Sequence, residues 1–217
     1  MITLAIQAGG ESRRMGQDKA LLPFLGRPLI LQVVERLATF ADEVLVTTNQ
    51  LADYAFLGTS TLPSVAVRRL RCVPDLVPGR GALGGLYTAL HAAKHPLVAV
   101  AACDMPFASR ALFEYERDLL IESDADVVIP TSAEGLEPLH AVYRRTICLP
   151  AIEDALKASE WKLIAWFPKV KVRTLTPKET ARHNPQGLAF LNLNTPEELR
   201  LAERLVSGTR TSAEQCR

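Results

Sequence analysis

Ile2-Thr3-Leu4-Ala5-Ile6-Gln7-Ala8-Gly9-Gly10-Glu11-Ser12-Arg13-Arg14-Met15-Gly16-Gln17-Asp18-Lys19 runs from an apolar, strand-like segment straight into a loop of glycines and cations. Paired glycines leave backbone N–H groups uncovered by side chains, so successive amides converge on phosphate oxygens. Arg13, Arg14 and Lys19 add charge-assisted donors. Such a loop suits a polyphosphate better than a neutral sugar. It is not a P-loop, because Gly16 is followed by Gln17-Asp18-Lys19 with no Ser or Thr after the lysine.

Outward from this segment, short apolar runs alternate with stretches of helical period, the pattern of a doubly wound α/β fold. Strands are expected at Ile2–Gln7, Glu43–Thr48, Leu70–Val73, Leu97–Cys103, Asp126–Ile129, Leu139–Tyr143, Val170–Leu175 and Leu188–Leu191. Leu29, Ile30, Val33, Val34 and Leu37 recur on one helical face. Helices are also expected after Gly85, beginning near Leu86, and over 111–122, with Leu112, Tyr115, Leu119 and Leu120 in register. Thr195 is placed to N-cap a last helix, with Pro196 at its first position and Glu198 closing a capping box. Asn192 and Asn194 are therefore expected between the last strand and this helix. The reading is one α/β domain over 1–206, a mostly parallel sheet flanked by helices, with a mobile polar tail at 207–217.

In open α/β sheets ligands bind beyond the carboxyl ends of the strands, where the strand order reverses. The first loop, the Asp75 segment, Asp104 and the asparagines all follow expected strands and so can meet in one crevice. Gly79-Arg80-Gly81-Ala82-Leu83-Gly84 also matches G-x-G-x-x-G, with Asp104 at about the ~20-residue distance of a ribose-binding acid. Pro74 and Pro78 separate these glycines from the preceding strand, which disfavours the dinucleotide fingerprint. The other reading is that they shape a turn and cap a helix.

The 217 residues are 48% hydrophobic with a formal net charge of +1, enough for a substantial core and too little charge for a nucleic-acid-binding surface. Arg68, Arg69 and Arg71 are read as a solvated face. Cys72, Cys103, Cys148 and Cys216 show no C-x-x-C spacing, so they read as reduced thiols, with Cys103 packing as a small hydrophobe. Met1-Ile2-Thr3-Leu4 enters the first strand without a signal-peptide n-region, and no apolar run approaches the ~18 residues of a membrane span. A cytoplasmic protein is expected.

Several separated blocks resemble the molybdenum cofactor guanylyltransferases, the molybdopterin-guanine dinucleotide biosynthesis protein A family within the nucleotidyltransferase superfamily. They are Ala8-Gly9-Gly10-Glu11-Ser12-Arg13-Arg14-Met15-Gly16 with Asp18-Lys19; Asp75 with Pro78-Gly79-Arg80-Gly81-Ala82-Leu83-Gly84-Gly85-Leu86; Cys103-Asp104-Met105-Pro106; Pro138-Leu139-His140-Ala141-Val142-Tyr143; and Asn192-Leu193-Asn194-Thr195-Pro196-Glu197-Glu198-Leu199. The resemblance spans nearly the whole chain. It implies a nucleotide-diphospho-sugar transferase-like, Rossmann-like fold with a later antiparallel strand, and transfer of GMP from GTP to molybdopterin with loss of pyrophosphate. It further implies that Gln7, Ala8 and Gly9 line the base and sugar through backbone groups, that Lys19 contacts phosphates, that Asp75 helps hold the nucleoside, and that Asp104 binds Mg²⁺. Gly10 and Gly84 join this nucleotide-binding set, as does Thr47 at a family position often occupied by asparagine. Gln7 stands where the family usually has leucine; its amide either alters nucleotide preference or hydrogen-bonds neighbouring backbone. The expected partners are GTP, molybdopterin or its molybdenum form, and a molybdoenzyme or another cofactor-biosynthesis protein.

The residues themselves give a consistent chemistry. A carboxylate ending the apolar run Leu97 to Cys103 is costly unless solvated, paired or metal-bound, and Mg²⁺ is commonly held by one or two carboxylates plus substrate phosphates. The alternative for Asp104 is an N-cap. Arg13 is placed to clamp the departing pyrophosphate, which makes Arg13, Lys19 and Asp104 the catalytic candidates. Asn192 and Asn194 offer amides for the acceptor phosphate, or serve turn and cap duty. His140, alternating with apolar residues, reads as a hydrogen-bonded structural group. Trp161, Trp166 and Phe167 form either a pterin platform or core cover, the second being favoured. Two further readings share the loop: a nucleotidyltransferase using CTP or a sugar or alcohol phosphate acceptor, and a non-catalytic nucleotide-binding protein.

Overall fold

The computed structural model describes residues 1–8, 18–59 and 70–214, those beyond 206 as helix backbone. Seven strands form one sheet: β1 (Ile2–Gln7), β2 (Glu43–Thr47), β3 (Leu70–Val73), β4 (Leu97–Ala102), β5 (Val127–Ile129), β6 (His140–Arg144) and β7 (Val172–Thr174), in the order β7-β5-β6-β4-β1-β2-β3. β6 runs antiparallel to both β4 and β5, and every other pairing is parallel. β1 and β4 lie side by side at the centre with every residue buried, as expected of strands covered on both faces. The chain winds outward from β1 through β2 to β3 and then returns to place β4 on the other flank of β1. The strand order therefore reverses between β1 and β4.

Helices cover both faces. Leu4, Ile6, Val44, Val46, Ala99 and Ala101 pack on one face with α1 (Leu29–Leu37) and α3 (Arg110–Glu122). Ala5, Leu45, Val98, Val100 and Ala141 pack on the other with α2 (Gly81–Ala92) and α4 (Arg145–Lys157). α1 buries Leu29, Ile30, Leu31, Val33, Val34 and Leu37, at about 1.5–3 kcal/mol each. Fixing nine residues costs about 1–2 kcal/mol apiece, so the two terms nearly balance and this helix is stable only when docked. The short α5 (Pro177–His183) and the 19-residue α6 (Pro196–Glu214) follow in sequence; α6 continues past the boundary at 206 placed from sequence. Phe24, Leu29, Leu193, Leu199 and Ala202 form a small third core under α6. Among the described residues no helix is long and apolar enough to cross a membrane.

Three local expectations need correction. The run Leu188–Leu191 is not a strand: the Leu191 N–H bonds back to the Leu188 carbonyl and the Ala189 N–H to Asn184 Oδ1. Its apolar residues bury into the core from a turn, so Asn192 and Asn194 precede a helix without ending a strand. α2 begins at Gly81 and not near Leu86, because Gly79 (φ +78°) and Gly81 (φ +54°) turn the chain directly into it. Arg71 is no solvated residue: its Nε lies 2.7 Å from the buried Glu43, and its guanidinium also meets the Ala92 carbonyl at the end of α2. Glu43 additionally accepts from Thr3 Oγ1 and the Lys94 N–H, and these donors together with Arg71 hold its carboxyl below the usual range against the opposing effect of burial. Arg68 and Arg69 lie outside the described residues.

Candidate active site

The carboxyl ends of β1 to β4 gather the sequence-distant blocks. The ladder continues past the end of β1: the Ala8 N–H donates to the Thr47 carbonyl at 2.9 Å and the Cys103 N–H to the Gln7 carbonyl at 3.0 Å. The chain entering the glycine segment is thereby fixed between β2 and the Asp104 turn. Gly9, Gly10, Arg13 and Arg14 lie outside the described residues.

At the far end of that segment, Asp18 caps the short 3-10 turn Lys19–Leu21 by accepting from the Ala20 N–H at 3.0 Å. The turn carries Lys19 to Asn194, with Nζ 2.6 Å from Oδ1. The Leu193 N–H donates to the Asp104 carbonyl at 3.0 Å, so Lys19, Asp104 and Asn194 meet over the end of β4. Burial pushes the Asp104 carboxyl above its ordinary range; Lys19 pulls it down and Glu198 adds to the rise. A carboxylate held in this way gains from a cation brought by substrate. Ser109 caps α3 by accepting from the Leu112 N–H. Among the described residues no group of three His, Cys, Asp or Glu side chains gathers to hold an ion, and Asp104 offers one carboxylate.

Asn194 is itself fixed by the expected capping box. Glu198 Oε2 accepts from the N–H groups of Asn194 and Thr195, at 2.5 and 2.9 Å, and Thr195 Oγ1 accepts from the Glu198 N–H at 3.1 Å. Asn192 is half-buried in the same segment.

On the α2 side, Gln7 and Thr47 are direct neighbours across β1 and β2, both buried. Gln7 Nε2 and Thr47 Oγ1 have no hydrogen-bond partner among the described residues. Asp75 pairs reciprocally with Asn49: Nδ2 donates to Asp75 Oδ2 at 3.1 Å, and the Asp75 N–H donates to Asn49 Oδ1 at 3.0 Å. Burial raises the Asp75 carboxyl and Asn49 opposes that shift; Asp75 Oδ1 is buried without a partner among the described residues. Gly84 lies within α2, where a Cβ would stand 2.9 Å from the Val77 carbonyl and 2.8 Å from Arg80 Cβ. Its bare backbone seats the Asp75 loop on the helix, helped by Thr88 Oγ1, which accepts from the Leu76 N–H and donates to the Gly84 carbonyl. The turn-shaping reading of these glycines therefore describes their conformation.

Burial, followed by Asp104, pushes the Cys103 thiol up, leaving it protonated and packed against the core. His140 is fully buried between Phe113 and Phe190, accepts the Ser109 N–H at Nε2 and meets Glu116 at Nδ1; it is structural, as read. Trp166 is core, donating Nε1–H to the Leu163 carbonyl. Trp161 departs from the core-cover expectation: it is 61% exposed, with the Arg80 guanidinium 4.5 Å over its ring. Asn49 and Tyr54, whose hydroxyl donates to Asp18 Oδ2 at 2.7 Å, were not singled out from sequence. Asn49 carried the faint signal of a polar residue just beyond a strand end.

A MobA-like NTP transferase domain model matches residues 4–172. The chain is 36% identical over 210 residues to a protein of Pelotomaculum thermopropionicum named "Probable molybdenum cofactor guanylyltransferase", covering 96% of this chain and 95% of that one. It is 35% identical over 214 residues to the molybdenum cofactor guanylyltransferase of Desulfosudis oleivorans, with 97% and 98% covered. The crystal structure of molybdopterin-guanine dinucleotide biosynthesis protein A from Archaeoglobus fulgidus superposes with a TM-score of 0.78 at 24% identity, covering 95% of this chain and 99% of that one, which supports the same fold. The matched region begins in β1 and reaches β7, taking in all four strand ends where Gln7, Thr47, Asp75 and Asp104 converge, and the chain belongs to the MobA-like NTP transferase family.

Proposed function

We propose that this protein transfers GMP from GTP to molybdopterin carrying molybdenum, releasing pyrophosphate and forming a molybdopterin guanine dinucleotide. The observation that carries this reading is the meeting of Lys19, Asp104 and Asn194 beyond β4, in a chain whose near-full-length relatives bear the guanylyltransferase name. A terminal phosphate oxygen of the acceptor attacks the α-phosphorus of GTP, a P–O–P link forms, and the bond to the β-phosphate breaks with its electrons leaving on pyrophosphate. The nucleophile is already anionic, so the protein has to neutralise and align charge more than remove a proton. No triad is required.

Lys19 exchanges Asn194 for the triphosphate, and Arg13 assists at the departing pyrophosphate. The freed Asn194, with Asn192, meets the acceptor phosphate. Gln7, Ala8, Gly9, Gly10, Thr47, Asp75 and Gly84 surround the nucleoside end; the unpartnered Gln7 Nε2, Thr47 Oγ1 and Asp75 Oδ1 are groups that gain by meeting a ligand or water. Asp104 fits Mg²⁺, a single raised carboxylate beside the substrate phosphates, and the ion when bound offsets triphosphate charge. We place this activity in the cytoplasm, with the product passing to a molybdoenzyme or another cofactor-biosynthesis protein.

Titration calorimetry with GTP, CTP, ATP and UTP, with and without Mg²⁺, tests the reading. Selective, Mg²⁺-enhanced GTP binding is expected, weakened about 10–100-fold by Lys19→Ala, with turnover cut about 100-fold or more by Asp104→Ala. Preference for CTP would overturn the guanine assignment while retaining the nucleotidyl-transfer mechanism. Full activity of Asp104→Ala without Mg²⁺ would remove the metal role.

A further inference from the structure

Tyr54 lies in the 3-10 segment Leu51–Gly58 that follows β2, and its ring is 1% exposed. Its hydroxyl is placed where packing alone would not require a polar atom: 2.7 Å from Asp18 Oδ2 and 3.5 Å from the Ala8 carbonyl. Ala8 is the residue leaving β1, and Asp18 is the residue before Lys19. One buried hydroxyl therefore stands at both ends of the glycine segment.

Asp18 poses an electrostatic problem. A carboxylate adjoining the phosphate lysine would repel a triphosphate if it faced the same way as Lys19. Both of its oxygens are instead turned inward, Oδ1 onto the Ala20 N–H and Oδ2 onto the Tyr54 hydroxyl. The first bond shapes the turn Lys19–Leu21, and the second ties that turn to the segment after β2. With its carboxylate held in this way, the turn sends Lys19 Nζ outward to Asn194.

We infer that Tyr54 is a positioning residue for nucleotidyl transfer: acting through Asp18, its hydroxyl fixes the direction of Lys19 and keeps the Asp18 charge off the substrate phosphates. This inference rests on the proposed function for its substrate, though not for its geometry. Tyr54 is buried behind Asp18, so its loss should impair handling of the nucleotide through Lys19 and leave the acceptor's own binding unchanged.

Tyr54→Phe removes one oxygen and keeps the buried ring. The expected result is a rise of about 10-fold or more in Kd and KM for GTP with Mg²⁺, with the KM for molybdopterin unchanged and a cooperative thermal transition retained; a general packing defect would not divide the two substrates in this way. Asp18→Ala removes this link together with the Ala20 cap and should cost at least as much, and the double variant should be no worse than Asp18→Ala alone, because the Tyr54 link is already gone there. Asp18→Asn, which keeps an acceptor oxygen, should retain more nucleotide affinity than Asp18→Ala and serves if Tyr54→Phe does not fold. A second measurement needs no nucleotide: tryptic cleavage after Arg13 or Arg14 should accelerate several-fold in ligand-free Tyr54→Phe, relative to cleavage elsewhere. Wild-type nucleotide affinity together with wild-type cleavage in Tyr54→Phe would overturn the inference, as would additive losses in the double variant. If the parent protein itself fails to bind GTP, the proposed function falls, and the cleavage rates still decide whether Tyr54 holds the ends of this segment.

Discussion

His140 and Glu116 share one buried hydrogen bond, and their protons contribute to the pH response of the fold. The Ser109 N–H donates to His140 Nε2, so the ring carries its hydrogen on Nδ1 and donates to Glu116 Oε1 at 3.2 Å. Burial holds His140 down to about 3 and pushes Glu116 well above its ordinary 4.5, so it favours the neutral form of each. Below about pH 4.5 the unfolded chain binds both protons and the folded pair one, and stability falls on acidification. Above about 4.5 the raised Glu116 carboxyl keeps a proton that the unfolded carboxyl has lost, an advantage to the folded state that fades as the pH rises through its folded value. Up to about 6.5 the unfolded His140 keeps a proton that the folded ring lacks, so the two effects oppose each other. Glu116→Gln removes the opposing carboxyl and leaves only His140, so stability should fall on acidification from about pH 6.5, checked by urea denaturation at pH 5, 6.5 and 8 against the parent. Alternation in the sequence marked His140 as a satisfied structural group. Its partner was not legible, because Glu116 sits on α3, 24 residues away, and only tertiary packing turns it inward.

α2 shows how an element can serve a site without carrying its chemistry. Its second turn must accept the Val77 carbonyl, and Gly84 leaves the room. Gly84→Ala, despite its better helix propensity, should destabilise the protein by about 1–3 kcal/mol through forced backbone movement and weaken nucleotide binding by displacing Asp75. A denaturation curve as stable as the parent's would contradict this. Local codes of this scale were legible wherever one short stretch holds both donor and acceptor, as in the Thr195–Glu198 capping box. The turn at 188–191 was not, since an apolar run looks the same whether it pairs in a sheet or fills the core from a loop. Nor was the bond between Asn49 and Asp75, 26 residues apart, which depends on β2 and β3 being neighbours.

Across the whole molecule, the period of the apolar runs was enough to read a doubly wound sheet, and the rule of strand ends was enough to bring the first loop, the Asp75 segment and Asp104 to one end of it, while Gln7 and Thr47 were named only through the family resemblance and the asparagines follow a turn instead of a strand. The closure by α6 depends on Lys19 meeting Asn194 across 175 residues and on Glu203 accepting the Leu25 N–H across 178, pairings for which no local pattern exists. The small core under α6 is separate from the two that sandwich the sheet, so hydrogen exchange should find 22–29 and 193–202 less protected than β1 and β4. GTP with Mg²⁺ should slow exchange in both stretches together, and protection confined to one of them would argue against their coupling. The same long-range contact has a bearing on biosynthesis. Asn194 is translated only after all seven strands, so a chain emerging from the ribosome can pair its sheet while Lys19 still lacks its partner, and the site reaches its final form only with the last part of the sequence to appear.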